Sequence, residues 1–153
     1  MDQIKKIQRY QRLYKQLSGL LKDKPGAIAG MATIVAVLHH KMNYFFWTGF
    51  YLLGDEKLTV GPYQGSLACI RLKKDTGVCW AGINKRETII VPDVHQFPGH
   101  IACDSRSKSE IVVPLRNSKG EIIGVLDVDS REYNSFDEAD AEGLEKIISL
   151  IDL

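Results

Sequence analysis

The residues most able to do chemistry sit in one stretch, Val91 to Glu110, VPDVHQFPGHIACDSRSKSE, which reads as a long loop with Cys103 near its centre. Pro92 and Pro98 stiffen the approach to the cysteine and Gly99 loosens it. His95, His100, Arg106 and Lys108 flank it. Positive charge beside a thiol lowers its pKa, and the thiolate is the nucleophile. Loops held by a rigid scaffold are also where chemistry concentrates. A free cysteine is as often a small buried hydrophobe, so the loop alone leaves both readings open. Cys79 is a rival on local grounds. Thr76-Gly77-Val78-Cys79-Trp80 reads as a helix start capped by Thr76 or Asp75, which places Cys79 in a first turn where the helix dipole favours a thiolate.

A second group is carboxylic. Glu110 to Arg116 and Glu121 to Asp129 read as a hairpin around Asn117-Ser118-Lys119-Gly120. A four-residue loop pairs Arg116 with Glu121 and, counting back, sets Glu110 opposite Asp127. Side chains alternate along a strand, so Asp127 and Asp129 share a face. Glu110, Asp127 and Asp129 then cluster on one side of a sheet, with Ile111, Val113, Leu126 and Val128 on the other. A bulge at Gly120 would slip this register by one residue. Close carboxylates repel one another and persist only by sharing protons or meeting a cation. Such a pocket suits an ammonium group, and a member kept protonated can give its proton to a leaving oxygen.

The elements that must position these residues follow from periodicity. Ile4, Ile7, Leu13, Leu17 and Leu20 recur at helical spacing over Gln3 to Leu21, an amphipathic helix with the makings of a dimer face. A second, mostly buried helix spans Ala27 to Met42, with His39 and His40 at its C-terminal end. From Tyr44 the period changes. Tyr44 to Leu53, Lys57 to Gln64, Leu67 to Leu72 and Thr88 to Val91 read as strands. Along the first, Phe45, Trp47 and Tyr51 fall on one face and Phe46, Phe50 and Leu52 on the other. Trp47 and Tyr51 are therefore candidates to line the acidic pocket. Asn134 to Glu138 opens a last helix to about Ile151, with Ser135 and Glu138 as a capping box.

The whole chain narrows the function classes. It has 153 residues, one domain's length, and is 44% hydrophobic with a net charge of +1. That balance argues against nucleic acid or an anionic membrane as partner. The N-terminus is polar, with no signal-peptide pattern, and the longest apolar run is too short to span a bilayer, so a cytoplasmic protein is expected. Three widely spaced cysteines, Cys69, Cys79 and Cys103, fit neither a structural disulfide framework nor the close pairs of a zinc site.

The combination GPYQGSLACIRL, GVCWAGI, VPDVHQFPGHIACDSRSKSEIVVPL and GVLDVDS closely resembles the free methionine-(R)-sulfoxide reductases, a GAF-domain enzyme family. The resemblance implies an α+β fold: one GAF domain over residues 1–153, with an antiparallel sheet of about six strands, helices on one face and a ligand pocket on the other. It implies reduction of free L-methionine (R)-sulfoxide, with thioredoxin as reductant and no metal or bound organic cofactor. It assigns the nucleophile to Cys103 and the resolving cysteine to Cys69, with Cys79 the alternative. It assigns substrate binding to Trp47, Tyr51, Glu110, Asp127 and Asp129. Glu110, nearest the cysteine loop, is the expected proton donor. The alternative is a GAF domain that only senses a small ligand. Asn134-Ser135-Phe136-Asp137-Glu138 resembles the N-K-F-D-E motif of cyclic-nucleotide-binding GAF domains, with serine in place of lysine. A metal or haem binder using the cysteines with His95 or His100 is a third reading.

Overall fold

The computed structural model describes residues 1–100 and 103–153; Ile101 and Ala102 of the PGHIACD motif lie outside the described residues. Four helices and six strands follow in the order α1 (Gln3–Leu20), α2 (Ala27–Lys41), β1 (Trp47–Gly54), β2 (Lys57–Gln64), β3 (Arg71–Leu72), α3 (Gly77–Lys85), β4 (Ile89–Val91), β5 (Ser109–Arg116), β6 (Ile122–Ser130) and α4 (Glu138–Ile148). The strands form one antiparallel sheet in the order β3-β2-β1-β6-β5-β4. This is the α+β arrangement expected of a GAF domain.

Side-chain alternation divides the interior into two cores. On one face Phe50, Ile111, Val113, Leu126 and Val128 meet Leu13, Leu17, Ile34, Leu38, Leu144 and Ile147 of α1, α2 and α4. On the other face Trp47, Tyr51, Val112 and Val125 meet Val78, Cys79 and Trp80 of α3. The second face thus carries one short helix beside the pocket, a refinement of the expectation that helices cover one face only.

Several local expectations are corrected. The β1 ladder begins at Trp47, not Tyr44, because a turn closes before it, with the Phe45 N–H donating to the Met42 carbonyl (3.0 Å). Alternation therefore does not reach back, and Phe45 joins the helix-side core while Phe46 packs on the pocket side. In α1 the buried stripe is Lys6, Tyr10, Leu13 and Leu17, and Ile4, Ile7 and Leu20 are exposed. The capping box of α4 is Asp137 with Asp140, not Ser135 with Glu138. Thr76 takes the N-cap position of α3, but its hydroxyl donates to the Lys73 carbonyl (2.7 Å) and makes no cap hydrogen bond. Among the described residues, no helix is long and apolar enough to cross a membrane.

Candidate active site

The β5–β6 hairpin makes the acidic floor. Glu110 pairs with Asp129 and Val112 with Asp127, two residues away from the register expected from the loop. The slip arises in two single steps. Arg116 pairs with Ile122 rather than Glu121, and a bulge then separates Leu115 from Arg116. A slip of one would have turned one strand over relative to the other and parted Glu110 from Asp127 and Asp129. A slip of two keeps every side chain where alternation put it. Glu110, Asp127 and Asp129 accordingly line one cavity.

Glu110 and Asp127 are buried, and Asp129 is less enclosed. Burial, and then the charges of Asp127 and Asp129, hold the Glu110 carboxyl well above the usual carboxylate range. Asp129 is pushed up by burial, then by Asp127 and Asp104. Asp127 is also raised by burial, but hydrogen bonds from Glu110 and Cys79 pull the other way. In all three carboxyls burial favours the protonated form, least so at Asp127. Glu110 Oε2, Asp127 Oδ1 and His100 Nε2 are buried without a hydrogen-bond partner among the described residues, and all three residues line the cavity. His100 Nδ1 lies 3.9 Å from Glu110 Oε2. Such groups face what the cavity receives, since buried polar atoms are otherwise paired.

One wall is aromatic. Trp47 stacks between Tyr51 (centroids 5.8 Å apart) and Tyr63 (5.3 Å). Gly49, between Trp47 and Tyr51 on the same face, makes this possible: a Cβ there would lie 2.5 Å from the indole and 2.4 Å from Tyr63 Cβ. The sequence reading singled out Trp47 and Tyr51 but not Tyr63. Counting back from the turn would set Gly49 opposite Pro62; a register shift between Gly49 and Tyr51 brings Tyr63 there instead, and the sequence does not mark it.

The two wall residues also hold the segment above them. Trp47 Nε1–H donates to the Ser66 carbonyl (3.0 Å), and the Tyr51 hydroxyl donates to the Cys69 carbonyl (2.9 Å). The Ser66 hydroxyl donates to Asp104 (2.9 Å), whose carboxylate also receives the Arg106 guanidinium. These bonds bring the Cys69 segment and the Cys103 loop together at the cavity mouth. Cys69 and Cys103 are joined there in a disulfide, with Cα atoms 5.6 Å apart. The expected strand over Leu67 to Leu72 is reduced to Arg71–Leu72, because residues 67–70 leave the ladder to cross this mouth.

Cys79 takes a different position. It is a free, buried thiol whose Sγ lies within 4.8 Å of carboxylate oxygens of Glu110 and Asp127. Burial and then the neighbouring Asp127, Glu110 and Asp129 push its pKa well up. The first-turn dipole favoured a thiolate at Cys79, but desolvation and three acids outweigh a term of about 1 kcal/mol. His95 sits outside the cavity, exposed and bonded to Asp93 (3.0 Å).

Residues 32–153 match the GAF domain family model. The chain is 38% identical over 147 residues to the free methionine-R-sulfoxide reductase of Escherichia coli, covering 96% of this chain and 88% of that one. This chain belongs to the free methionine-R-sulfoxide reductase family of GAF domains. Its similarity extends to GAF domain-containing protein A of Dictyostelium discoideum, 50% identical over 96% of this chain and 92% of the relative. Among solved structures, the free methionine-R-sulfoxide reductase of Neisseria meningitidis in complex with its substrate superposes with a TM-score of 0.87 at 40% identity, covering 92% of this chain and 84% of that one.

Proposed function

We propose that the protein reduces free L-methionine (R)-sulfoxide to L-methionine, with Cys103 as nucleophile and Cys69 as resolving cysteine. The observation that carries this reading is the Cys69–Cys103 disulfide at the mouth of a cavity floored by Glu110, Asp127 and Asp129. A sulfoxide sulfur is a poor electrophile until its oxygen is protonated. Glu110, held protonated by burial and its neighbours, supplies that proton. The Cys103 thiolate attacks the protonated sulfoxide, the bond between oxygen and the methionine sulfur breaks as the oxygen passes to Cys103 Sγ, and methionine leaves with Cys103 as a sulfenic acid. The Cys69 thiolate attacks that sulfur, water leaves, and the disulfide forms. Thioredoxin returns both thiols.

Specificity for the free amino acid follows from the acids. Asp127 and Asp129 pair with the ammonium, which a peptide-bound methionine lacks. The cavity, about 210 Å³, also leaves no room for flanking peptide. Trp47 and Tyr51 hold the methyl–sulfur end, where sulfur–aromatic contact is favourable. The motif Asn134 to Glu138 gives the sensor reading no support: Asp137 caps α4 and Phe136 packs in the helix-side core. The test is NADPH consumption by purified protein with methionine sulfoxide, thioredoxin and thioredoxin reductase. Wild type should turn over, Cys103→Ser should not, and Cys69→Ser should release about one methionine per chain and stall. Saturable binding without turnover in wild type would favour the sensor.

A further inference from the structure

The segment carrying Cys69 combines a fixed backbone with exposed apolar side chains. Leu67 is 86% exposed and Ile70 67%. Single exposed hydrophobics are ordinary on a protein surface, but these two bracket a cysteine of a redox disulfide. Their backbone is not loose. The Ser66 and Cys69 carbonyls accept from Trp47 and Tyr51, and the Ile70 carbonyl accepts from the Val60 N–H (2.9 Å). The chain thus holds two aliphatic side chains in water on a pinned loop. A surface ordered before contact loses little conformational entropy when a partner arrives. Arg71 and Lys73, both exposed, follow directly, so the apolar spot has a cationic rim.

We propose that Leu67 and Ile70 form the docking surface for a dithiol oxidoreductase of the thioredoxin class, one presenting an apolar patch with an acidic rim beside its reactive thiol. The proposal rests on the function above. Docking sets the partner's thiolate against Cys69 Sγ. Attack there forms a mixed disulfide and expels Cys103 as a thiolate. The partner's second thiol then attacks its own sulfur in the mixed disulfide and expels Cys69. Two electrons pass to the protein, and the partner leaves as a disulfide.

Steady-state turnover with two alternative reductants, thioredoxin and dithiothreitol, tests this. Dithiothreitol is too small to use the patch. In the double variant Leu67→Ser with Ile70→Ser, kcat/KM for thioredoxin should fall about 10- to 100-fold. Leu67 also edges the cavity and Ile70 does not, so in Ile70→Ser alone the KM for methionine sulfoxide and the rate with dithiothreitol should stay at wild-type values. The pair Leu67→Met with Ile70→Val should restore most of the loss. Ile28→Ser, at an exposed apolar residue of α2 on the opposite face of the sheet, should change none of these. An unchanged kcat/KM for thioredoxin in the double variant overturns the docking surface. An equal loss with dithiothreitol also overturns it, by placing the residues in substrate binding or folding. If wild type turns over with neither reductant, the functional reading fails and the docking surface with it.

Discussion

At the scale of single residues, the site depends on dividing labour among three acids that cannot all ionise freely. Burial and the neighbouring acids push the Glu110 carboxyl well above its usual range, and carboxylate oxygens of Glu110 and Asp127 lie within 4.8 Å of each other and of Cys79 Sγ. Glu110→Gln should therefore lower kcat about 10²–10⁴-fold with little change in substrate affinity. Asp127→Asn should instead raise the Kd, measured by calorimetry in a Cys103→Ser background. If Glu110→Gln abolishes binding and leaves single-turnover chemistry intact at saturation, the roles are reversed. The same burial has a thermodynamic sign. The folded chain keeps a proton on Glu110 that the unfolded chain releases near pH 4, so the folded state binds more protons. Stability is then fully present below about pH 4 and falls as pH rises through the raised folded pKa. A glutamine fills the same space but has no proton to lose. Thermal melts from pH 4 to pH 8 should show a flatter pH dependence for Glu110→Gln and a higher melting temperature at the alkaline end. A variant that follows wild type throughout would mean Glu110 ionises like a surface carboxylate.

At the scale of elements, what the sequence revealed depended on which property each inference used. The shared face of Glu110, Asp127 and Asp129 was legible because alternation has a period of two, and the register slipped by two. The partner of Glu110 was not legible, since the bulge between Leu115 and Arg116 leaves no compositional mark. The segment Leu67 to Ile70 was misread as strand for a related reason. Its apolar residues look like half of a buried pattern, while hydrogen bonds from Trp47 and Tyr51, distant in sequence, hold it off the ladder. Apolar spacing in α1 marked only Leu13 and Leu17 of the buried face, because Lys6 and Tyr10 complete it while Ile4, Ile7 and Leu20 are exposed. Between α1 and α4 the fit is close. A Cβ on Gly143 would lie 2.3 Å from the Tyr10 ring. Gly143→Ala should gain helix propensity yet destabilise by about 1–3 kcal/mol through overpacking. A urea midpoint equal to or above wild type would show that the two helices can separate without cost.

At the scale of the whole molecule, the sheet separates a scaffold side from a reacting side. The scaffold side carries its own buried charge pair. Lys6 Nζ donates to Asp140 (2.6 Å) and to the Ser135 carbonyl (2.8 Å), while Tyr10 and Tyr44 also donate to Asp140 (2.7 and 2.5 Å). Lys6 precedes the segment matched as GAF domain, residues 32–153, so this network ties the first helix to the body. Lys6→Met leaves Asp140 without its cation and should cost about 3–5 kcal/mol of stability by chemical denaturation. Turnover well below the melting point should persist, because no member of the network lines the cavity. Loss of activity in a folded Lys6→Met protein would contradict this separation of roles. The division has one more effect. Met31 and Met42 lie in the helix-side core, 3% and 0% exposed, and Met1 is the other methionine of the chain. Thioether oxidation follows access. A protein that repairs oxidised methionine thus keeps its own internal methionines behind the sheet, out of reach of the oxidants that make its substrate. Under peroxide, intact-mass analysis should find oxygen added at Met1 well before either of them.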